Sequence, residues 1–306
     1  VLLAACGPRA GSAAGPSPAP APRQPAPPAC RPLTVVTYNL RFDNPEDGVH
    51  RWELRRTQVG EQIRALAPDL LGTQEVLPHQ LADLDAMLPT HAREGVGRDP
   101  GGAGEASPLF WRTDRFTRED GGTFWLSDTP ERARGPEEPK PWGTWLNRVA
   151  SWAILRDTAT GARILAVNTH FDHASEEARS QSATILVDFV RAHPTDHTIV
   201  LGDLNTRPGS VPHRTLAAAL ADAADRAAEV VRAPGDTSVT RWTELGTPGH
   251  HIDHVFVSPR LTVERYEVVD RRFRYQGADR YPSDHLPVAV RLCVPTPPGY
   301  LSLADR

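Results

Sequence analysis

The sequence predicts an α+β sandwich whose loops carry the functional site, and two observations point there. Short apolar runs rich in β-branched and aromatic residues recur along the chain, closed by polar punctuation, and they outnumber the amphipathic stretches. Several of these runs finish in acidic, amide or imidazole side chains, the residue types that do chemistry where loops leave a rigid scaffold. At 306 residues the chain is long for an average domain, yet a sheet sandwich with covering helices absorbs about 250 residues as one unit.

The first strand is expected over Leu33–Asn39. A helix follows, with Val59, Ile63, Leu66 and Ala67 on one face, and then a strand over Asp69–Glu75. Leu81, Leu84 and Leu88 define a second helix ahead of strands over Leu109–Arg112, Val149–Arg156 and Ile164–His170. Ile185, Phe189 and Val190 sit on a third helix after an acidic start. Strands over Thr198–Asp203, His251–Ser258 and Leu286–Leu292 complete the set, with no internal repeat at a fixed period.

Hydrophobic residues make up 39% and charged residues 24%, which supplies a substantial core and excludes disorder of the whole chain. A formal charge of -4 argues against bulk electrostatic gripping of long nucleic acid, though not against a nuclease with a local basic patch. Lys140 is the only lysine. Arginine enrichment therefore reads as a coding bias, and arginine clusters count for less.

The chain opens Val1-Leu2-Leu3-Ala4-Ala5-Cys6-Gly7, read as the remnant of an export signal over residues 1–6. Leu3-Ala4-Ala5-Cys6 resembles the bacterial lipobox, in which the cysteine is lipidated. Residues 7–32 are Pro- and Ala-rich with few large apolar side chains, so they form a tether. A domain at 33–294 and a C-terminal tail at 295–306 follow. The expected protein is exported and held on a bacterial membrane by a lipid anchor at Cys6. No later stretch approaches the ~20 apolar residues of a membrane span.

The polar strand ends carry the chemistry. They read Thr37-Tyr38-Asn39, Gln74-Glu75, Asn168-Thr169-His170-Phe171-Asp172-His173, Gly202-Asp203-Leu204-Asn205, His251-Ile252-Asp253-His254 and Ser283-Asp284-His285. Alternation puts Asp203 and Asn205 on the face of Ile199 and Leu201, and Asn168 on the face of His170. Carboxylates gathered at the ends of apolar strands repel each other unless a cation or proton binds among them. Each motif is weak alone; their joint order is the signal.

That order closely resembles the endonuclease/exonuclease/phosphatase superfamily of deoxyribonuclease I, in a little-studied bacterial exported branch. The resemblance implies a four-layer α/β/β/α sandwich of two mainly antiparallel sheets flanked by helices, with the site at one edge. It implies a hydrolase using Mg²⁺ or Mn²⁺, with Glu75 as main metal ligand and Asn39 and Asp284 bordering the ion. Asp253 and His285 match a carboxylate–imidazole pair in which the acid fixes the imidazole tautomer. Asp203 and Asn205 match the pair that positions water and touches phosphate; the base is either Asp203 or His285. His170 matches an imidazole that stabilises the phosphorane or protonates the leaving oxygen, and Arg148 matches a phosphate clamp.

Other residues remain open at this level. Asp172 and His173 extend the His170 motif. Trp52, Trp142 and Trp145 either stack on substrate or pack under loops, and the arginines of 271–280 either add anion affinity or reflect composition. His250, His251 and His254 lack the Cys/His spacing of a closed zinc site. Cys30 and Cys293 remain once Cys6 is lipidated. In the resembling folds the terminal strands lie close together, which would bring the two abreast for a disulfide; the alternative is a buried Cys293 and a free Cys30.

The first functional expectation is a phosphodiesterase or phosphatase outside the cytoplasm, acting on a small molecule or lipid headgroup. An extracellular nuclease of the same chemistry and a catalytically inactive binding module of the same fold are the alternatives. No feature marks an obligate protein partner.

Overall fold

A computed structural model of the chain describes residues 30–296, together with Val1, Leu2 and Gly7. The lipobox-like Leu3–Cys6, the tether from 8 to 29 and the tail from 297 to 306 lie outside the described residues.

In chain order, β1 (Cys30–Asn39) leads to α1 (Trp52–Leu66), β2 (Leu70–Gln74) and α2 (Pro78–Met87). Short strands β3 (His91–Glu94), β4 (Gly97–Asp99), β5 (Ala103–Ala106) and β6 (Leu109–Arg112) precede the longer β7 (Phe116–Trp125). A loop then reaches β8 (Val149–Asp157), β9 (Arg163–His170), α3 (Glu176–Ala192) and β10 (His197–Asp203). Next come α4 (Val211–Ala217), β11 (Ala221–Asp222), α5 (Ala223–Arg226) and β12 (Glu229–Val231). The chain finishes with β13 (Asp253–Val257), β14 (Thr262–Val268), the hairpin β15 (Phe273–Tyr275) and β16 (Ala278–Arg280), and β17 (Val288–Pro295).

One sheet orders β12-β14-β17-β1-β2-β6-β3 and the other β11-β13-β10-β9-β8-β7. Period-two alternation fixes what each face meets. Val35, Leu70, Ile199 and Leu201 belong to a cluster between the sheets. Val36 and Leu71 turn the other way, onto Val59 and Ile63 of α1 and Leu84 of α2. Leu165, Val167 and Val200 face Leu186 of α3 and Leu216 of α4. The result is the four-layer α/β/β/α sandwich, in which each fully buried Val or Leu contributes about 1.5–3 kcal/mol over its exposed state.

Local signals set the helices. Ser175 caps α3 by accepting from Ala178 N, with Glu176 and Glu177 favourable at the positive helix end. The α1 face runs as expected up to Leu66, but Ala67 is its left-handed cap. Pro68 follows directly, a residue that disfavours helix before it.

Among the described residues nine of the seventeen strands have no counterpart in the sequence reading, and the two longest of them are β7 and β14. β7 carries Glu119-Asp120-Gly121-Gly122 at its middle and is an edge strand, so most of it needs no apolar face. β14 buries Val263, Tyr266 and Val268, and a bulge between Val263 and Arg265 breaks the alternation a sequence reading seeks. The strand β1 begins at Cys30, ahead of the expected Leu33, because its pairing with β17 runs on to Cys30↔Pro295. Cys30 and Cys293 form the disulfide, with Cα atoms 5.4 Å apart.

Candidate active site

Topology gathers the polar strand ends at one edge. β1 and β2 are parallel and end together at Asn39↔Gln74, while β9 and β10 are parallel and end at His170↔Asp203. The antiparallel β13 starts where β10 ends, at Asp253↔Asp203. Gly202 allows the close approach: a Cβ there would lie 2.0 Å from Thr169 O, so the glycine of Gly-Asp-x-Asn lets β10 sit against β9. Asn168, fully buried, ties the two sheets together just behind the site. It accepts from Gln74 Nε2 at 2.7 Å and donates to Thr73 O and Pro108 O at 2.8 and 2.9 Å.

An open cavity of ≈ 540 Å³ lies at this edge. Of the nine expected site residues, Glu75, Arg148, His170, Asp203, Asn205, Asp284 and His285 line it. Asn39 and Asp253 stand behind them, each bonded to a lining residue. Asn39 Nδ2 donates to Glu75 Oε1 at 2.9 Å and to Asp203 Oδ2 at 3.0 Å. Its Oδ1 is taken by Arg41 N. Asn39 thus stands beside the expected ion position with its amide hydrogens on the two acids, and it orients them.

Asp253 Oδ2 lies 2.9 Å from His285 Nδ1 and accepts from Ser238 Oγ at 2.6 Å. Burial lowers the His285 pKa, but the charges of Asp253 and Asp203 outweigh it and hold the ring well above the usual histidine range. Its Nε2 lies 3.7 Å from Asp203 Oδ2. Burial and the Asp253 charge push the Asp203 carboxyl up to about 7 against the opposing pull of His285.

His170 differs. Asn205 Nδ2 donates to Phe171 O at 3.1 Å, so the nitrogen is placed, and the same group contacts His170 Nε2 at 3.0 Å. His170 Nε2 is therefore an acceptor. Burial, then Arg148 and Arg98, hold its pKa well below the usual value, so the ring is uncharged. In this arrangement Nε2 faces the Asn205 amide, with Asp203 Oδ2 3.5 Å away.

Arg148 Nε reaches Asp172 Oδ2 at 3.4 Å and its Nη2 meets His173 Nδ1 at 2.9 Å. Asp172 thus holds the arginine, and His173 lines the cavity. Trp52 is packed in the α1 core and Trp142 is half-buried, whereas Trp145 is 79% exposed. The arginines of 271–280 line no part of the cavity; Arg271, Arg272 and Arg280 lie over Phe273, Tyr281 and Tyr275. His251 is spent on Tyr266 Oη at 2.7 Å, and His254 faces away from Asp253 as alternation requires.

Sequence reasoning missed two groups. Arg98 and Glu105, from the β4–β5 hairpin, form a two-pronged ion pair at 2.7 and 2.8 Å and line the cavity beside Arg148. The run Pro100-Gly101-Gly102-Ala103-Gly104 is the local sign of so tight a hairpin, and its three glycines take positive φ. Arg55 is fully buried and donates to the carbonyls of Leu40, Arg41, His50 and Pro282, which locks the loop after Asn39 to the loop carrying Asp284.

The sequence pattern of the Endonuclease/Exonuclease/phosphatase family matches residues 36–285, and the chain belongs to that family. Phosphoester hydrolysis is the chemistry of its members. An endonuclease/exonuclease/phosphatase family protein from Bacteroides thetaiotaomicron is 32% identical with a TM-score of 0.79, over 86% of this chain and 98% of that one. A mannosyl-6-phosphatase of the same species is also 32% identical, with a TM-score of 0.78 over 85% and 99% of the two chains. The human Nocturnin catalytic domain, at 20% identity and a TM-score of 0.64 over 85% and 94%, shares the fold. A curated relative, an uncharacterized protein of Acanthamoeba polyphaga mimivirus, is 24% identical over 203 residues. The match covers 56% of this chain and 29% of that relative, so the chain spans under a third of its length.

Proposed function

We propose that this protein is a divalent-metal-dependent phosphatase acting on small phosphorylated molecules, with sugar phosphates as the leading class. The observation that carries the reading is one cavity lined both by the acids Glu75, Asp203 and Asp284 and by the cations Arg98 and Arg148. The 32% identity to a mannosyl-6-phosphatase supports the substrate class.

The donor set fits a hard cation. Glu75 and Asp284 stand close enough that the Glu75 charge adds to burial in raising the Asp284 pKa, and Glu75 also lies within 4.8 Å of ligand atoms of His170 and Asp203. Glu75 and Asp284 would hold Mg²⁺ or Mn²⁺, with Asn39 orienting Glu75. When bound, the ion offsets the negative charge of phosphate and acids and polarises a phosphoryl oxygen. Arg148, steadied by Asp172, contacts the phosphate, and the Asn205 amide, donating to Phe171 O and His170 Nε2, holds the uncharged His170 ring at the cavity. Asp203, with a carboxyl near neutral pKa, takes the proton of the attacking water. His285, kept cationic by Asp253, faces the charge that develops on phosphorus.

We also propose export and lipid anchoring through Cys6. The lipobox-like segment supports this, as does the Cys30–Cys293 disulfide, since such bonds persist outside the cytoplasm.

The test is a screen of purified protein with Mg²⁺ or Mn²⁺ against sugar phosphates, nucleotides, phospholipids and nucleic acids. Phosphate release from small monoesters is expected. Cleavage of DNA or RNA as the main activity establishes the nuclease instead, and no turnover of any phosphoester removes the reading.

A further inference from the structure

Outside the cavity the molecule buries another cluster of ionisable groups: His213 of α4, Asp222 of β11 and His254 of β13, each no more than 5% exposed. His213 Nε2 and His254 Nδ1 lie 2.9 and 3.2 Å from one atom, Asp222 Oδ2. The other ring nitrogens reach the backbone of the segment that follows β10. His254 Nε2 is 2.9 Å from Thr206 O, and Gly209 N donates to His213 Nδ1 at 3.2 Å. Asn205 sits in that segment at φ 47, a left-handed conformation that a non-glycine residue holds only when its surroundings enforce it.

The backbone partners place the protons. A carbonyl only accepts, so His254 Nε2 carries hydrogen; an amide N–H only donates, so His213 Nδ1 is bare and its hydrogen lies on Nε2, toward Asp222. Asp222 also faces His254 Nδ1, which makes His254 a doubly protonated cation beside a carboxylate. Burial opposes both charges, yet the mutual hydrogen bonds prevail, holding Asp222 below the usual carboxylate range and His254 above the usual histidine value. The three groups are close enough to suggest a metal site. Coordination at His213 Nε2 would move its hydrogen to Nδ1, directly against the Gly209 N–H, so the network is one of protons.

We propose that His254, Asp222 and His213 are positioning residues, a clamp that fixes the segment after β10 so that the Asn205 amide stays against His170 at the cavity. The two faces of one strand divide the work: Asp253 turns inward to His285, and His254 turns outward to the clamp. Asp203 Oδ1 accepts from Asn205 N at 2.9 Å and anchors the near end of the segment, while Thr206 O and Gly209 N anchor the rest. This proposal rests on the phosphatase reading of the site.

A double-mutant cycle of Asp222→Asn and Asn205→Ala tests it, with Mn²⁺ and p-nitrophenyl phosphate as the assay and hydrogen exchange of the 205–209 amides as a readout independent of turnover. Alone, Asp222→Asn is expected to lower kcat by about ten- to hundredfold with little change in KM, the scale of a misplaced catalytic contact. In the Asn205→Ala background the same change should have almost no further effect, because the group it positions is gone. Exchange at 205–209 should rise. Equal losses in both backgrounds, or unchanged exchange at 205–209, overturn the clamp. An inactive wild type, or a fully active Asn205→Ala enzyme, overturns the site reading instead, and the exchange result still decides the clamp. If Asp222→Asn does not fold, His213→Gln is carried through the same cycle.

Discussion

His285 Nδ1 lies 2.9 Å from Asp253 Oδ2, although Asp253 opens β13 in one sheet and His285 precedes β17 in the other. The pair spans the interface between the sheets, and Ser238 Oγ holds the same carboxylate oxygen. His285→Ala is therefore expected to lower kcat by about two to four orders of magnitude, the scale of losing an acid–base or charge-stabilising group. Metal affinity should remain, since Glu75 is untouched. Steady-state kinetics on the purified variant decide it, and near-normal kcat would remove His285 from the reaction.

Chelation should abolish activity, and added Mg²⁺ or Mn²⁺ should restore it. Without a cation, Glu75, Asp203 and Asp284 would face a phosphate of like charge. Glu75→Gln removes one of those charges and should raise the metal concentration needed for half-maximal rate. Full turnover in EDTA contradicts the metal assignment.

The clamp makes stability depend on pH with a definite sign. Folding raises the His254 pKa, so its contribution is complete below about pH 6.5 and is lost as pH rises through the raised native value. Asp222 is depressed, so its contribution is complete above about pH 4 and is lost as pH falls through the native value. The stability gap between wild type and His254→Gln should be widest near about pH 5–6 and narrow as pH rises through the raised native value. Denaturant unfolding at several pH values measures this; a gap that widens with alkalinity refutes the charge state of His254.

Reduction should destabilise the domain without displacing the site. Cys30 and Cys293 are separated by 263 positions, so in the chain-entropy description their bond contributes up to about 5 kcal/mol. Cys30→Ser should lower Tm to the value of the reduced wild type. Two alkylatable thiols in oxidised, unfolded protein would show that the bond is absent.

The proposed anchor at Cys6 predicts that the protein fractionates with membranes and that Cys6→Ser does not. One acyl chain gives only marginal attachment, so the native protein should carry more than one. Fractionation with mass analysis of the N-terminus reads both, and an unmodified cytoplasmic protein ends the idea.

Most of the site was legible in sequence because its acids, amides and imidazoles sit in short local motifs at strand ends, as in Gly202-Asp203-Leu204-Asn205 and Ser283-Asp284-His285. Alternation along a strand is a local property, so the shared face of Asp203, Ile199 and Leu201 followed from spacing alone. Tertiary structure alone decided which charge meets which. Arg148 meets Asp172, Arg55 meets the carbonyls of Leu40, Arg41, His50 and Pro282, and Ser238 reaches Asp253 across 15 positions. It also turned the hydrogens of Asn39, and not its oxygen, toward Glu75 and toward Asp203, 164 positions away. Such pairings depend on strand order, register and sheet packing, which bring together donors and acceptors that no short stretch of sequence contains.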